Sequence, residues 1–310
     1  YTDEMPDLEK DYIVQAWKGR TTLYETAKKG YRSLLSHGFY IDLVQSTEYH
    51  YKNDPIPPDS ILSDEVKERI LGGEATMWAE FAGPETIDSR IWPRTAAIAE
   101  RLWSPGSVND LNNMFLRLDQ VSLQLETYGL THIKNYDMML RRIANNYDIE
   151  VLKNFVNAVK PLYTYSRDRP HIFKSYYPLT RIVDAALPDP RSGRLFNNSV
   201  DELLANETID NDNYEKVKSC LKIWKDNHER LLPLINSKPI LKEVAPLSED
   251  LSKVSAIGLE SLELIKENKK ADSVWIAASN EIIKAAAVPK GEIELAILSS
   301  IQKLFAKVNK

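Results

Sequence analysis

The chain changes its hydrophobic period once, near Ser107, and this change constrains the fold more than any other feature. Before it, short apolar runs alternate with helical stretches. "DYIVQAW" reads as a buried strand ending at Trp17, and "TTLYETAKKG" as a helix closed by Gly30, a residue suited to a helix C-cap. "YRSLLSH" and "FYIDLVQ" supply a second strand and its exit. A Pro-rich loop, "STEYHYKNDPIPPDS", follows, then a short helix at "SDEVKERI" and a third strand at "LGGEATMWAE". "WPRTAAIAERLW" is the next helix, with Pro93 in its first turn. Strands separated by helices predict parallel βα units. Three such units cannot close an eight-fold barrel, but they suit the last part of one.

After Ser107 the period is helical throughout. Leu111, Met114, Phe115, Leu118, Val121 and Leu125 fall on one helical face, and Gly129 ends that helix. The proline-bearing stretch from Arg167 to Asn198 reads as an irregular crossing. Further amphipathic helices fill the chain to Lys310. Val217, Leu221, Trp224 and Leu231 mark one face, and Leu241, Val244, Leu251, Val254, Ile257 and Leu264 another. The expected fold is α/β: the C-terminal portion of a (β/α)8 TIM barrel over residues 1–130, then an all-α helical domain over residues 131–310. Trp224 and Trp275 are expected in the helical core rather than as ligand plates.

Composition narrows the function classes. A length of 310 residues with 43% hydrophobic and 27% charged residues describes a globular chain, not a disordered one. A net charge of −5 offers no general attraction for nucleic acid or anionic lipid. No apolar run approaches the ~20 residues of a membrane span. The single cysteine, Cys220, permits no intrachain disulfide and reads as a packing residue. There is no P-loop, dinucleotide fingerprint or HExxH. His37, His50, His132, His171 and His228 lack metal-ligand spacing, so neither metal nor cofactor is expected. The first residue is Tyr1, and "YTDEMPDLEK" has no character of a natural start, so the chain reads as beginning mid-protein and its compartment stays open.

Three spots carry chemistry: Trp17, "FYID" with Tyr40 and Asp42, and Trp78 with Glu80. Each lies at the end of an expected strand, where (β/α) barrels collect their binding and catalytic groups. Residues two apart on a strand face the same way. An aromatic and an acid at that spacing offer a flat apolar plate beside a carboxylate, which suits the C–H face and hydroxyl rim of a sugar. The same spacing suits a buried Trp beside a salt-bridged Glu.

"GGEATMWAEF" together with "IWPRTAAIAERLWSP" resembles the end of the barrel in family 20 of the glycoside hydrolases, the β-N-acetylhexosaminidases. "IVQAWKG" is similar to that family's sixth strand and "FYIDL" to its seventh, so the resemblance runs over residues 11–105. It implies that Trp17 and Trp78 wall the pocket of a terminal N-acetylhexosamine and that Tyr40 hydrogen-bonds the carbonyl of its 2-acetamido group. It implies that Asp42 and Glu80 bind the C4 and C6 hydroxyls. Glu74, Arg94, Glu100 and Arg101 also match the motifs and are read as tethers of helices and strands.

The resemblance further implies substrate-assisted retaining hydrolysis, an exception to the two-carboxylate scheme. Its acid/base pair lies in an H–x–G–G–D–E motif, which this chain does not contain. Asp3-Glu4 fits the family's fifth strand instead, with Thr2 where a third Trp plate is usual; Asp64-Glu65 and Asp201-Glu202 follow no His–x–Gly–Gly. The chain is therefore expected to hold part of a sugar pocket and to be inactive alone. Its expected partners are an N-acetylhexosamine-terminated glycan and the N-terminal half of the barrel, and the family implies a periplasmic or secreted setting. The rival readings are a non-catalytic sugar-binding protein and a helical interaction protein with a barrel remnant.

Overall fold

The computed structural model describes residues 8–168, 173, 174, 176–206 and 210–309. Tyr1, Thr2, the Asp3-Glu4 pair and His171 lie outside the described residues. The chain forms two compact units, Tyr1–Ile133 and Lys134–Lys310.

The first unit opens with three βα steps. Strand β1 (Ile13–Ala16) leads to helix α1 (Arg20–Lys28), and β2 (Arg32–Leu35) leads through a 3-10 turn (Ile41–Leu43) to α2 (Thr47–Tyr51). After α3 (Asp64–Glu68), β3 (Ile70–Gly73) leads to α4 (Ile87–Ile91) and α5 (Arg94–Trp103), and α6 (Leu111–Thr127) follows. The strands form one parallel sheet in the order β1-β2-β3. Such an order with helical crossovers is the connectivity of a barrel segment.

Alternation along the strands divides the sheet into two faces. Ala16, Leu35 and Ile70 pack with Leu23 and Ala27 of α1 and Ile98 of α5 in one apolar cluster. The other face is not covered: Ile13 is 49% exposed and Leu71 46%. The expectation of a buried β1 thus holds for one face only. In a closed barrel the inward side chains of all strands fill the interior in layers. Three strands supply only part of those layers, so the inward apolar residues meet solvent.

The second unit begins with α7 (Lys134–Ala144), α8 (Glu150–Val156), strand β4 (Val159–Pro161), α9 (Thr164–Asp168), α10 (Ile182–Ala185) and α11 (Arg191–Ala205). It continues with α12 (Asn211–Ser237), α13 (Ala245–Lys266), α14 (Ser273–Ala286), strand β5 (Ile293–Leu295) and α15 (Leu298–Val308). The expected irregular crossing stops at Pro190, because proline is suited to a helix entry and α11 starts directly behind it. Among the described residues the unit's strands are β4 and β5, which pair antiparallel. Val217, Leu221, Trp224 and Leu231 are all buried, as are Leu241, Val244, Leu251 and Val254. Trp224 packs edge-on against Phe196 with ring centres 5.0 Å apart, and Trp275 lies 5.5 Å from Phe305. Both tryptophans are packing residues.

A buried ionic network crosses this unit. Arg167 donates to Glu292 at 2.8 Å and to Asp184 at 2.9 Å. Arg181 donates to the same Glu292 and forks onto Glu243 at 2.7–3.1 Å. The Arg181 amide closes the ring on Asp184 at 2.9 Å. Burial alone would depress the Arg181 guanidinium, but the two carboxylates it touches outweigh that and hold its pKa above the usual range. Mutual pairing is what makes such buried charge tolerable.

Candidate active site

The segments that follow the three strands at their carboxyl ends carry Trp17, Tyr40, Asp42, Trp78 and Glu80. Trp17 follows β1 and is half exposed, with the Lys18 ammonium 5.2 Å from its ring centre. Beyond β2, pairing with the third segment resumes after a short gap. Tyr40 and Thr76 form a parallel bridge, in which Ile41 donates to the Thr76 carbonyl and Thr76 to the Phe39 carbonyl, each at 3.0 Å. Two residues past Tyr40, Asp42 is fully buried. Its Oδ2 accepts a hydrogen bond from the Trp78 amide at 2.8 Å.

Tyr40, Asp42 and Trp78 are thus brought together at adjacent strand ends, but not by the route the spacing predicts. Asp42 lies in the 3-10 turn and not on a strand. Trp78 and Glu80 lie beyond the end of β3, and Ala79 between them has φ +68°. A left-handed residue breaks strand alternation, so the same-face argument does not apply to this pair. Trp78 is 66% exposed while Glu80 is half-buried. The Trp78 ring is thus not buried in this chain.

The glycine pair before this turn has two separate reasons. Gly72 has φ +122°, which side-chain-bearing residues rarely adopt. A Cβ at Gly73 would meet the Phe39 ring at 2.7 Å and the Leu35 carbonyl at 2.9 Å. Only glycine lets the end of β3 lie this close to β2. The next residue, Glu74, donates its amide to Leu35 at 3.0 Å and is delivered against Ser36.

Of the remaining motif residues, Arg94 braces the turn that carries Asp42, while Glu100 and Arg101 hold the segments around α5. Buried Arg94 on α5 donates to the carbonyls of Ile41 at 2.7 Å and Gln45 at 2.6 Å, holding both ends of the turn that bears Asp42. Fully buried His50 is 2.7 Å by Nδ1 from the Gly38 carbonyl. Its desolvation, helped by the Arg94 charge, lowers its pKa from 6.5 to about 4. Glu100 accepts from Tyr51 and Arg117, and Arg101 donates to the carbonyls of Ser104, Pro105 and Val108. Gln15 and Ser36, partners of Glu74, were not among the residues the sequence singled out. The available signal was a polar residue at the tail of each apolar strand run.

Among the described residues, no group of three or more His, Cys, Asp or Glu could hold a metal ion, and no helix is long and apolar enough to cross a membrane. Residues 2–106 match the family model described as Glycosyl hydrolase family 20, catalytic domain. The Beta-hexosaminidase subunit beta of Mus musculus is 35% identical over 122 residues, 37% of this chain and 22% of its own length. The Beta-hexosaminidase subunit A1 of Dictyostelium discoideum is 34% identical over 130 residues, 40% of this chain and 24% of its own. The X-ray structure of Flavobacterium johnsoniae chitobiase superposes with a TM-score of 0.85 at 41% identity, covering 96% of this chain and 46% of that one. The chain therefore spans less than half the length of the relatives it matches. With a parallel βα segment ending in the family's strand-end motifs, residues 2–106 are similar to the catalytic domain of glycosyl hydrolase family 20, and the likeness to the chitobiase continues through the helical unit.

Proposed function

We propose that the chain supplies part of the sugar pocket of a β-N-acetylhexosaminidase, an enzyme that removes terminal N-acetylhexosamine with retention of configuration. What supports this reading is the junction of Tyr40, Asp42 and Trp78 at neighbouring strand ends, carried by Asp42 and the Tyr40–Thr76 bridge. The half-exposed ring of Trp17 and the exposed ring of Trp78 suit the apolar face of a sugar. The Tyr40 hydroxyl takes the acetamido carbonyl and orients that oxygen for attack on the anomeric carbon. This attack displaces the leaving oxygen and forms a cyclic oxazolinium ion, which water then opens. Glu80 accepts hydrogen bonds from the C4 and C6 hydroxyls. Asp42, fully buried, supports the pocket from behind by fixing the Trp78 amide through its Oδ2.

Protonation of the leaving oxygen and activation of water belong to an Asp–Glu pair outside this chain, in the upstream part of the barrel. The same upstream strands are the partner that covers the open face bearing Ile13 and Leu71. The test is release of chromophore from a p-nitrophenyl N-acetyl-β-glucosaminide. The full-length protein is expected to turn it over. The 310-residue chain alone is expected to fall short by at least the ~10²–10⁴-fold that general acid/base catalysis contributes. A full-length protein that binds N-acetylglucosamine without turnover would convert the reading to a sugar-binding protein, and full activity of the chain alone would mean that it carries its own acid/base pair.

A further inference from the structure

We infer that Glu74 is a positioning residue for the proposed hydrolysis: its carboxylate ties the carboxyl ends of all three strands together and so sets the spacing of Trp17, Tyr40 and Trp78. The inference rests on the reading above for its catalytic consequence, but its geometry stands independently. One oxygen, Glu74 Oε1, accepts from Gln15 Nε2 at 2.5 Å and from Ser36 Oγ at 2.6 Å. Gln15 lies on β1 two residues before Trp17, Ser36 directly follows β2 four residues before Tyr40, and Glu74 directly follows β3 four residues before Trp78. Each strand end thus contributes one member of the tie and, within four residues, one of the three aromatic side chains.

The backbone is shaped for this contact. Gly73 has no room for a Cβ against Phe39 and Leu35, so the approach of β3 to β2 that seats Glu74 on Ser36 is enforced by the only residue that permits it. Ser36 is fully buried, so its hydroxyl depends on a protein acceptor. Hydrogen bonds to an ionised acceptor are short and about twice as strong as neutral ones. The tie also does what the sheet ladder does not. The ladder of β1 with β2 ends at Ala16 and Leu35, and the ladder of β2 with β3 is interrupted after Leu35 and Gly73 before pairing resumes at Tyr40 and Thr76, so the tie sits at this gap.

The experiment compares Glu74→Ala and Glu74→Gln in the full-length protein by two readouts, steady-state hydrolysis of the p-nitrophenyl substrate and amide hydrogen exchange. Glu74→Ala is expected to lower kcat/KM by about 10–100-fold, with kcat falling as well as KM rising, the scale that misplaced reacting groups bring. Exchange should quicken together in residues 17–19, 39–42 and 76–80 and stay unchanged in the helices packed behind the sheet. Glu74→Gln keeps an oxygen that can accept from both Gln15 and Ser36, so it should recover activity to within about threefold of the wild type and restore slow exchange. Wild-type kcat/KM in Glu74→Ala would overturn the inference. So would a Glu74→Gln variant as impaired as Glu74→Ala but with undisturbed exchange, because Glu74 would then act on substrate by its charge. Faster exchange throughout the first unit would make Glu74 a general stabiliser and would also overturn it. A wild-type protein with no glycosidase turnover would sink the proposed function, and the exchange pattern would still decide whether Glu74 holds the three segments.

Discussion

The two units place their polar groups differently. In the helical unit one large apolar cluster runs from Met139 to Leu304 beside a small one of Ile257, Ile283 and Phe305, and Arg167, Arg181, Asp184, Glu243 and Glu292 form one connected network of charges. In the barrel unit the apolar residues fall into two smaller clusters, and one face of the sheet meets solvent. Arg94, His50 and Asp42 each bond a backbone group of a turn, and Glu74 bonds the ends of two strands. In the first arrangement charge holds a core together, and in the second it holds loops in place at the rim of a sheet. Those loops carry the candidate site.

The contrast breaks most sharply at Arg167. Removing its guanidinium leaves Glu292 and Asp184 buried with half their partners, a loss of about 3–5 kcal/mol. Trp224→Ala should cost a similar ~3–5 kcal/mol through the cavity it leaves. Chemical unfolding monitored by hydrogen exchange should show both losses in residues 134–310, with exchange at β1–β3 unchanged. A loss of under about 1 kcal/mol for Arg167→Ala would mean that the network contributes little and that the two units differ less than their geometry suggests.

A smaller effect separates the units by pH. His50 binds a proton near 6.5 when unfolded but only at about 4 when folded. Between these values the unfolded state holds more protons, so stability rises with pH. The full contribution is present above 6.5 and is lost as pH falls towards 4. The difference of two to three pH units corresponds to about 3 kcal/mol. Unfolding of the barrel unit should therefore show a pH slope over this window, and His50→Asn should flatten it. An unchanged slope in the variant would assign the effect to other groups.

Within the barrel unit, Glu80→Gln should lower kcat/KM of the full-length protein by roughly 10–100-fold, because hydrogen bonds to a charged acceptor are worth about 1.5–3 kcal/mol. The loss should shrink for analogues lacking the C4 or C6 hydroxyl, whereas Trp78→Ala should weaken all N-acetylhexosaminides alike. Equal penalties for deoxy and natural substrates would make Glu80 a structural acid. Least of all, Trp17→Ala should change stability by only about 0.5 kcal/mol, as for other exposed positions, while sugar binding is lost. A stability loss as large as that of Trp224→Ala would show that Trp17 is a core residue after all.

Much of this was legible in the amino-acid order because it depends on local rules. Hydrophobic period marks β1, β2, β3 and the long helices, and the faces of α12 and α13 were readable residue by residue, since burial of an apolar stripe repeats every 3.6 positions. The motif residues Trp17, Tyr40, Asp42, Trp78 and Glu80 stood out as aromatic–acid pairs beside strand ends. What could not be read locally is how those pairs are held. The left-handed Ala79 interrupts strand alternation between Trp78 and Glu80, Asp42 reaches a backbone amide 36 residues on, and Gln15 and Ser36 converge on Glu74 from different strands. Arg167 and Glu292 meet across 125 residues. A side chain's partner at such separations depends on which strand ends and helices the packing brings within hydrogen-bond distance, and periodicity carries no record of that.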